Sequence, residues 1–135
     1  MNTTRFEKKA GKIFSVMGNP FRIKILLTIG KGEACVCHLE ALLKKRQAFI
    51  SQHLMALRKE GLLETRRDGK YIFYRLADLE TIDLIRKAGE LAGLEDDPLL
   101  ELDSTSVVPN CPCPKCESKA ARQANQGQRI DLSTS

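Results

Sequence analysis

The chain has no tryptophan, and aromatic residues make up only 5% of it. With 42% apolar and 29% charged residues, this is the composition of a soluble, helix-rich protein. No apolar run is long enough to cross a membrane, and the opening stretch Met1-Asn2-Thr3-Thr4-Arg5-Phe6-Glu7-Lys8-Lys9 lacks the apolar segment of a signal peptide. The expected compartment is therefore the cytoplasm, where thiols stay reduced. In that setting the five cysteines, Cys35, Cys37, Cys111, Cys113 and Cys116, read as metal or redox chemistry and not as a disulfide framework. Internal repeats are absent too, which sets repeat architectures aside.

What is present suits one domain, since 135 residues allow a single modest core. The net charge of +5 is unevenly spread. Residues 1–75 hold 16 Lys and Arg against 6 Asp and Glu, whereas residues 76–135 hold 6 against 11. A basic front half points to a polyanion such as nucleic acid, with a solvated charged face as the plainer alternative.

Apolar residues Phe6, Ala10, Ile13, Phe14 and Met17 recur at steps of three and four, predicting an amphipathic helix over 4–17. Asn19-Pro20 reads as an N-cap followed by a first-turn proline, and Gly30-Lys31-Gly32 stops the helix that follows near Ile29. A short third helix fits 36–44. After the basic turn Lys44-Lys45-Arg46, a fourth fits 47–60, with Ile50, Leu54 and Leu57 on one face and Gly61 at its end. Asp68-Gly69 between two extended runs signals a hairpin over 62–76, and a fifth helix spans about 79–92. Beyond Gly93 the periodicity is lost, predicting a domain over 1–93 and a flexible, cysteine-containing tail over 94–135.

Helix, helix, short helix, basic turn, helix, hairpin is the order of a helix-turn-helix with a wing. Five motifs carry a more specific likeness: Asn19-Pro20-Phe21-Arg22; Cys35-Val36-Cys37-His38-Leu39; Ile50-Ser51-Gln52-His53-Leu54; Leu57-Arg58-Lys59-Glu60-Gly61-Leu62; and Arg67-Asp68-Gly69-Lys70-Tyr71-Ile72-Phe73-Tyr74-Arg75-Leu76. Together they resemble the ArsR/SmtB family of winged helix-turn-helix, metal-responsive transcriptional repressors, over about residues 5–92. The resemblance implies a mainly α fold of about five helices plus a two-stranded wing. It also implies a cytoplasmic homodimer on double-stranded operator DNA, with no enzymatic activity and no membrane partner.

With Ile50, Leu54 and Leu57 inward, helical spacing turns Gln47, Ala48, Ser51, Gln52 and Lys59 outward. Glutamine pairs with adenine in two hydrogen bonds, serine donates or accepts, and an apolar Phe49 or Ala48 suits a thymine methyl. Because the start of a recognition helix enters the major groove, Arg46, Gln47, Phe49, Ser51 and Gln52 are the expected base contacts. His53 is either a further contact or a helix-packing residue bonded locally. Arg66, Arg67 and Lys70 are expected on phosphate or in the minor groove, against the plainer reading of a solvated loop. A dimer would span half-sites about 34 Å apart. In the resembled family the first and fifth helices form it, leaving Phe6, Phe14, Ile82, Ile85 and Leu91 either at that interface or packed within one subunit.

Cys35 and Cys37 stand at a helix start, where free amides and the helix dipole favour a thiolate; small buried thiols are the plainer reading. In the resembled family this Cys-Val-Cys binds arsenite in one group and cadmium, lead or zinc in another. The arsenite group has a third cysteine one turn later, where this chain has Glu40, and residues 1–34 offer no cysteine. The remaining sulfurs are expected from Cys111, Cys113 and Cys116, which an extended 18-residue linker after Gly93, up to about 60 Å long, brings within reach; the alternatives are a tail that binds a metal by itself or stays an unstructured thiol-rich end. Three sulfurs suit lead or arsenite, and four suit cadmium or zinc. A zinc site of Asp and His on the fifth helix, known in some members, is not expected, because neither His38 nor His53 lies there. Two alternatives stay open: a redox or persulfide sensor joining Cys35 or Cys37 to the tail, and a thiol oxidoreductase using Cys113-Pro114-Lys115-Cys116. Direct bonding between Cys35 and Cys37 is not expected.

Overall fold

The computed structural model describes residues 2–98. It contains helices α1 (Asn2–Met17), α2 (Pro20–Ile29), α3 (Val36–Leu43), α4 (Gln47–Lys59) and α5 (Glu80–Leu91), and strands β1 (Glu33–Cys35), β2 (Leu63–Asp68) and β3 (Tyr71–Leu76). Every expected helix is present, with ends shifted by no more than two residues. Cys111, Cys113 and Cys116 lie outside the described residues, so the joint site expected of them does too.

Local chemistry sets the boundaries. The Asn19 side chain accepts from the amides of Phe21 at 2.8 Å and Arg22 at 3.3 Å, while Pro20 occupies a first-turn position whose missing N–H costs nothing. Between α3 and α4 the chain turns through Lys44 in the left-handed region, φ 55° and ψ 43°. The hairpin closes with Asp68 paired to Tyr71, so its two-residue loop is Gly69-Lys70, and Gly69 takes the positive φ of 62° that this tight turn requires.

The wing is one strand larger than the hairpin expected. β1 pairs antiparallel with β3, giving a three-stranded sheet in the order β1-β3-β2. Three residues after a glycine turn carry too little alternation to read as a strand. Their register nevertheless places Cys35 opposite Phe73.

Ile25, Leu26, Ile29, Leu39, Ile50, Leu54 and Leu57 are fully buried and bind α2, α3 and α4 into one core. Each contributes about 1.5–3 kcal/mol through burial. Ile82 and Ile85 join that core from α5, whereas Phe6 and Phe14 on α1 and Leu91 on α5, the last 83% exposed, remain at the surface. The five residues that the sequence grouped as one apolar surface thus divide into two core residues and three exposed ones.

Candidate nucleic-acid interface and its thiol cavity

The outward face of α4 carries Gln47, Ala48 and Gln52 exposed, Ser51 half-buried and Phe49 42% exposed. Arg46, at the N-cap position, makes no side-chain capping bond and is exposed. These short polar and amide side chains at a helix start match the dimensions and donor patterns of a DNA major groove.

The wing residues, grouped together by sequence, divide in the structure. Arg67 and Lys70 are exposed, and the Lys70 ammonium lies 5.5 Å from the Tyr71 ring centre. Arg66 is exposed as well, but its charge is engaged on the sheet surface. Its guanidinium forms a two-pronged bond with the Glu33 carboxylate of β1, with Nε donating at 3.1 Å, and lies 4.6 Å over the buried Phe73 ring. The Glu33 bond raises the Arg66 pKa above its ordinary value against the cost of desolvation, and the Glu33 and Asp68 charges add in the upward direction. Arg66 therefore braces β1 against β2 across β3.

His53 is also engaged. Its Nδ1 accepts from Arg22 Nε at 3.0 Å, and its ring packs 4.8 Å edge-on to Phe49 and 5.2 Å from Phe21. Desolvation, and then the Arg22 charge, lower its pKa below the usual 6.5. Of the two roles the sequence left open, the geometry displays the packing role. No sequence signal pointed to Arg22 as the partner, because nothing in Asn19-Pro20-Phe21-Arg22 reports which side chain lies across the helix crossing.

Cys35 and Cys37 converge at the β1–α3 junction. Their Sγ atoms are 2.6 Å apart, longer than the roughly 2.05 Å of a disulfide bond. This corrects the expectation that the two are poorly placed to bond each other: the change from strand to helix between them folds the second side chain back over the first. The Cys35 sulfur also accepts from the His38 amide at 3.4 Å, capping α3. Cys35 is 2% exposed and packs on Phe73, while Cys37 is half-buried. A cavity of about 250 Å³ opens beside them, lined by Cys35, Cys37, Glu40, Gln47, Lys70 and Tyr71. The thiols thus share one cavity with the first residue of α4 and the wing tip. Among the described residues no group of three or more His, Cys, Asp and Glu is arranged to hold a metal ion.

The sequence model described as bacterial regulatory protein, arsR family, matches residues 19–65, from the cap of α2 to β2. Over 85 residues the chain is 38% identical to an uncharacterised HTH-type transcriptional regulator of Methanocaldococcus jannaschii, covering 62% of this chain and 96% of that protein. The chain belongs to the arsR family of bacterial regulatory proteins. As a family member it is a transcriptional regulator with a winged helix-turn-helix for DNA, and not an enzyme. It is also 40% identical over 67 residues to the arsenical resistance operon repressor of Escherichia coli, covering 49% of this chain and 57% of that one. Among solved structures it resembles reduced HlyU from Vibrio cholerae, with a TM-score of 0.59 and 31% identity over 66% of this chain and 94% of that one. No helix among the described residues is long and apolar enough to cross a membrane.

Proposed function

We propose that this arsR-family regulator is a homodimeric repressor that holds operator DNA through α4 and the wing, and releases it when a thiophilic ion binds Cys35 and Cys37. One observation carries the reading: both thiols line the same cavity as Gln47 at the start of α4 and Lys70 at the wing tip. An ion drawn between soft sulfurs there changes the spacing of two DNA-facing elements at once. A coupling of about 1–3 kcal/mol, typical of allostery, lowers operator affinity roughly 5- to 150-fold. The donor set fits soft ions, namely arsenite, lead, cadmium or zinc, with Cys111, Cys113 and Cys116 supplying the remaining sulfurs. The likeness to an arsenical resistance repressor supports this effector class. The exposed Phe6, Phe14 and Leu91 supply the dimer surface.

The approach of the two sulfurs to 2.6 Å supports a second reading, in which an oxidant joins Cys35 to Cys37. The two thiols would then give up two electrons and two protons to a disulfide or peroxide acceptor. The test is one titration series on reduced protein bound to a fluorescent operator duplex. Release by cadmium or arsenite, with thiolate-to-metal absorption and unchanged thiol count, supports ion sensing. Release only by oxidant, with two thiols lost per chain, supports the redox form, and release by neither overturns both.

A further inference from the structure

We propose that Arg22 and His53 form a latch that holds the recognition helix in its DNA-binding pose, and that protonation of His53 opens it. One guanidinium joins three helices: Nε donates to His53 Nδ1 of α4 at 3.0 Å, and Nη1 donates to the Val16 carbonyl of α1 at 3.2 Å, while Arg22 itself belongs to α2. The imidazole completes a triangle of rings with Phe21 and Phe49, whose centres lie 5.0 Å apart, so its position is fixed by packing as well as by the bond. The latch sits on the helix that carries Gln47, Ser51 and Gln52, and it rests on the reading of α4 as the DNA-recognition helix.

An Nδ1 that accepts must be unprotonated, which places the ring proton of the neutral form on Nε2. Adding a second proton removes the lone pair and sets a cation against the Arg22 guanidinium. The charged group bearing on the ring is Arg22 from α2; α1 contributes only the Val16 carbonyl to the latch, and Lys45 of the turn before α4 lies beyond, over the Phe49 ring at 5.9 Å. Burial and Arg22 both favour the neutral ring. A folded pKa below 6.5 means that the unfolded chain binds the proton first. The latch's contribution is therefore complete above pH 6.5 and is lost as pH falls through the lower folded value.

This predicts a sign opposite to that of a histidine on phosphate, whose protonation would tighten binding. The experiment uses the full chain and a duplex selected from random-sequence DNA by wild-type protein at pH 7.5. Wild type is compared with His53→Gln, which keeps an acceptor oxygen but does not titrate; His38 is retained in both, so its titration cancels. The expected result is affinities within about twofold at pH 7.5, and by pH 5.5 a further loss of severalfold in wild type alone, which a single proton binding below pH 6.5 holds under about tenfold. Parallel profiles, or a wild type that tightens relative to the variant, overturn the latch. Nitrogen NMR of the wild-type imidazole without DNA decides it independently of the variant's folding. An unprotonated Nδ1 at pH 7.5 with titration below 6.5 supports the latch, and a proton on Nδ1 or titration at or above 6.5 overturns it. Failure to select any duplex would overturn the reading of α4, while the NMR titration would still decide the contact.

Discussion

The recognition helix α4 is held by different chemistry at its start and at its middle. At its start, Gln47 borders a cavity with two thiols and the wing tip, and Arg46 adds no side-chain cap. At its middle, His53 is bonded to Arg22 and packed against two phenylalanines. Directional bonds and aromatic packing fix a pose, whereas polarisable sulfurs beside open space accept a ligand. On the proposed reading, a helix pinned at its middle and bordered by an effector cavity at its start is suited to tilt, and tilt would take the side chains proposed to read bases out of a groove.

The comparison breaks most severely if the core beneath both parts is emptied. Leu54→Ala, at a fully buried position, should cost about 2–5 kcal/mol in urea unfolding, while Gln47→Ala on the exposed face should stay within about 0.5 kcal/mol. The next effect is on DNA. Gln47→Ala or Ser51→Ala should weaken specific binding by about 1–3 kcal/mol, whereas Arg67→Ala or Lys70→Ala should weaken all sequences alike and reduce the salt slope by about 1, both read by fluorescence anisotropy across salt concentrations.

Effector response sharpens the contrast between the two parts. Cys35→Ser and Cys37→Ser should each leave DNA binding intact and abolish release by metal. A chain truncated after Val107 should fold and bind DNA normally but bind cadmium more weakly, because chelation falls from three or four sulfurs to two. Calorimetric titration of metal into both forms measures this, and unchanged affinity would leave Cys111, Cys113 and Cys116 without a part in the site. The smallest effect is expected at Arg66. Arg66→Ala should lower thermal stability slightly by releasing Glu33, with no change in the salt slope, which separates it from Arg67 in the same assays.

Helices were legible because their signals are local: an asparagine cap, a proline in the first turn, a glycine stop, an apolar stripe of period 3.6. The exposure of Gln47 and Gln52 followed from the same stripe. β1 was not legible, because a three-residue strand exists only through its pairing with β3, 38 positions away in the register Cys35↔Phe73. The same limit hid the Arg66–Glu33 brace and the Arg22–His53 bond, which join residues 33 and 31 positions apart. Convergence of Cys35 and Cys37 was missed for a related reason. Their approach depends on the strand β1 that the sequence did not reveal, since the chain passes from strand to helix between them.

The central claim is that the thiol pair controls the hold of α4 on DNA. Its most direct measurement is anisotropy of a labelled operator duplex bound to reduced full-length protein, with thiolate-to-metal absorption recorded on the same sample during cadmium and arsenite titration. The account predicts that release follows the absorption change, with a 5- to 150-fold loss of affinity, and that the Cys35→Ser, Cys37→Ser double variant shows neither. Release that persists in the double variant, or full thiolate absorption in wild type with the duplex still bound, would contradict it.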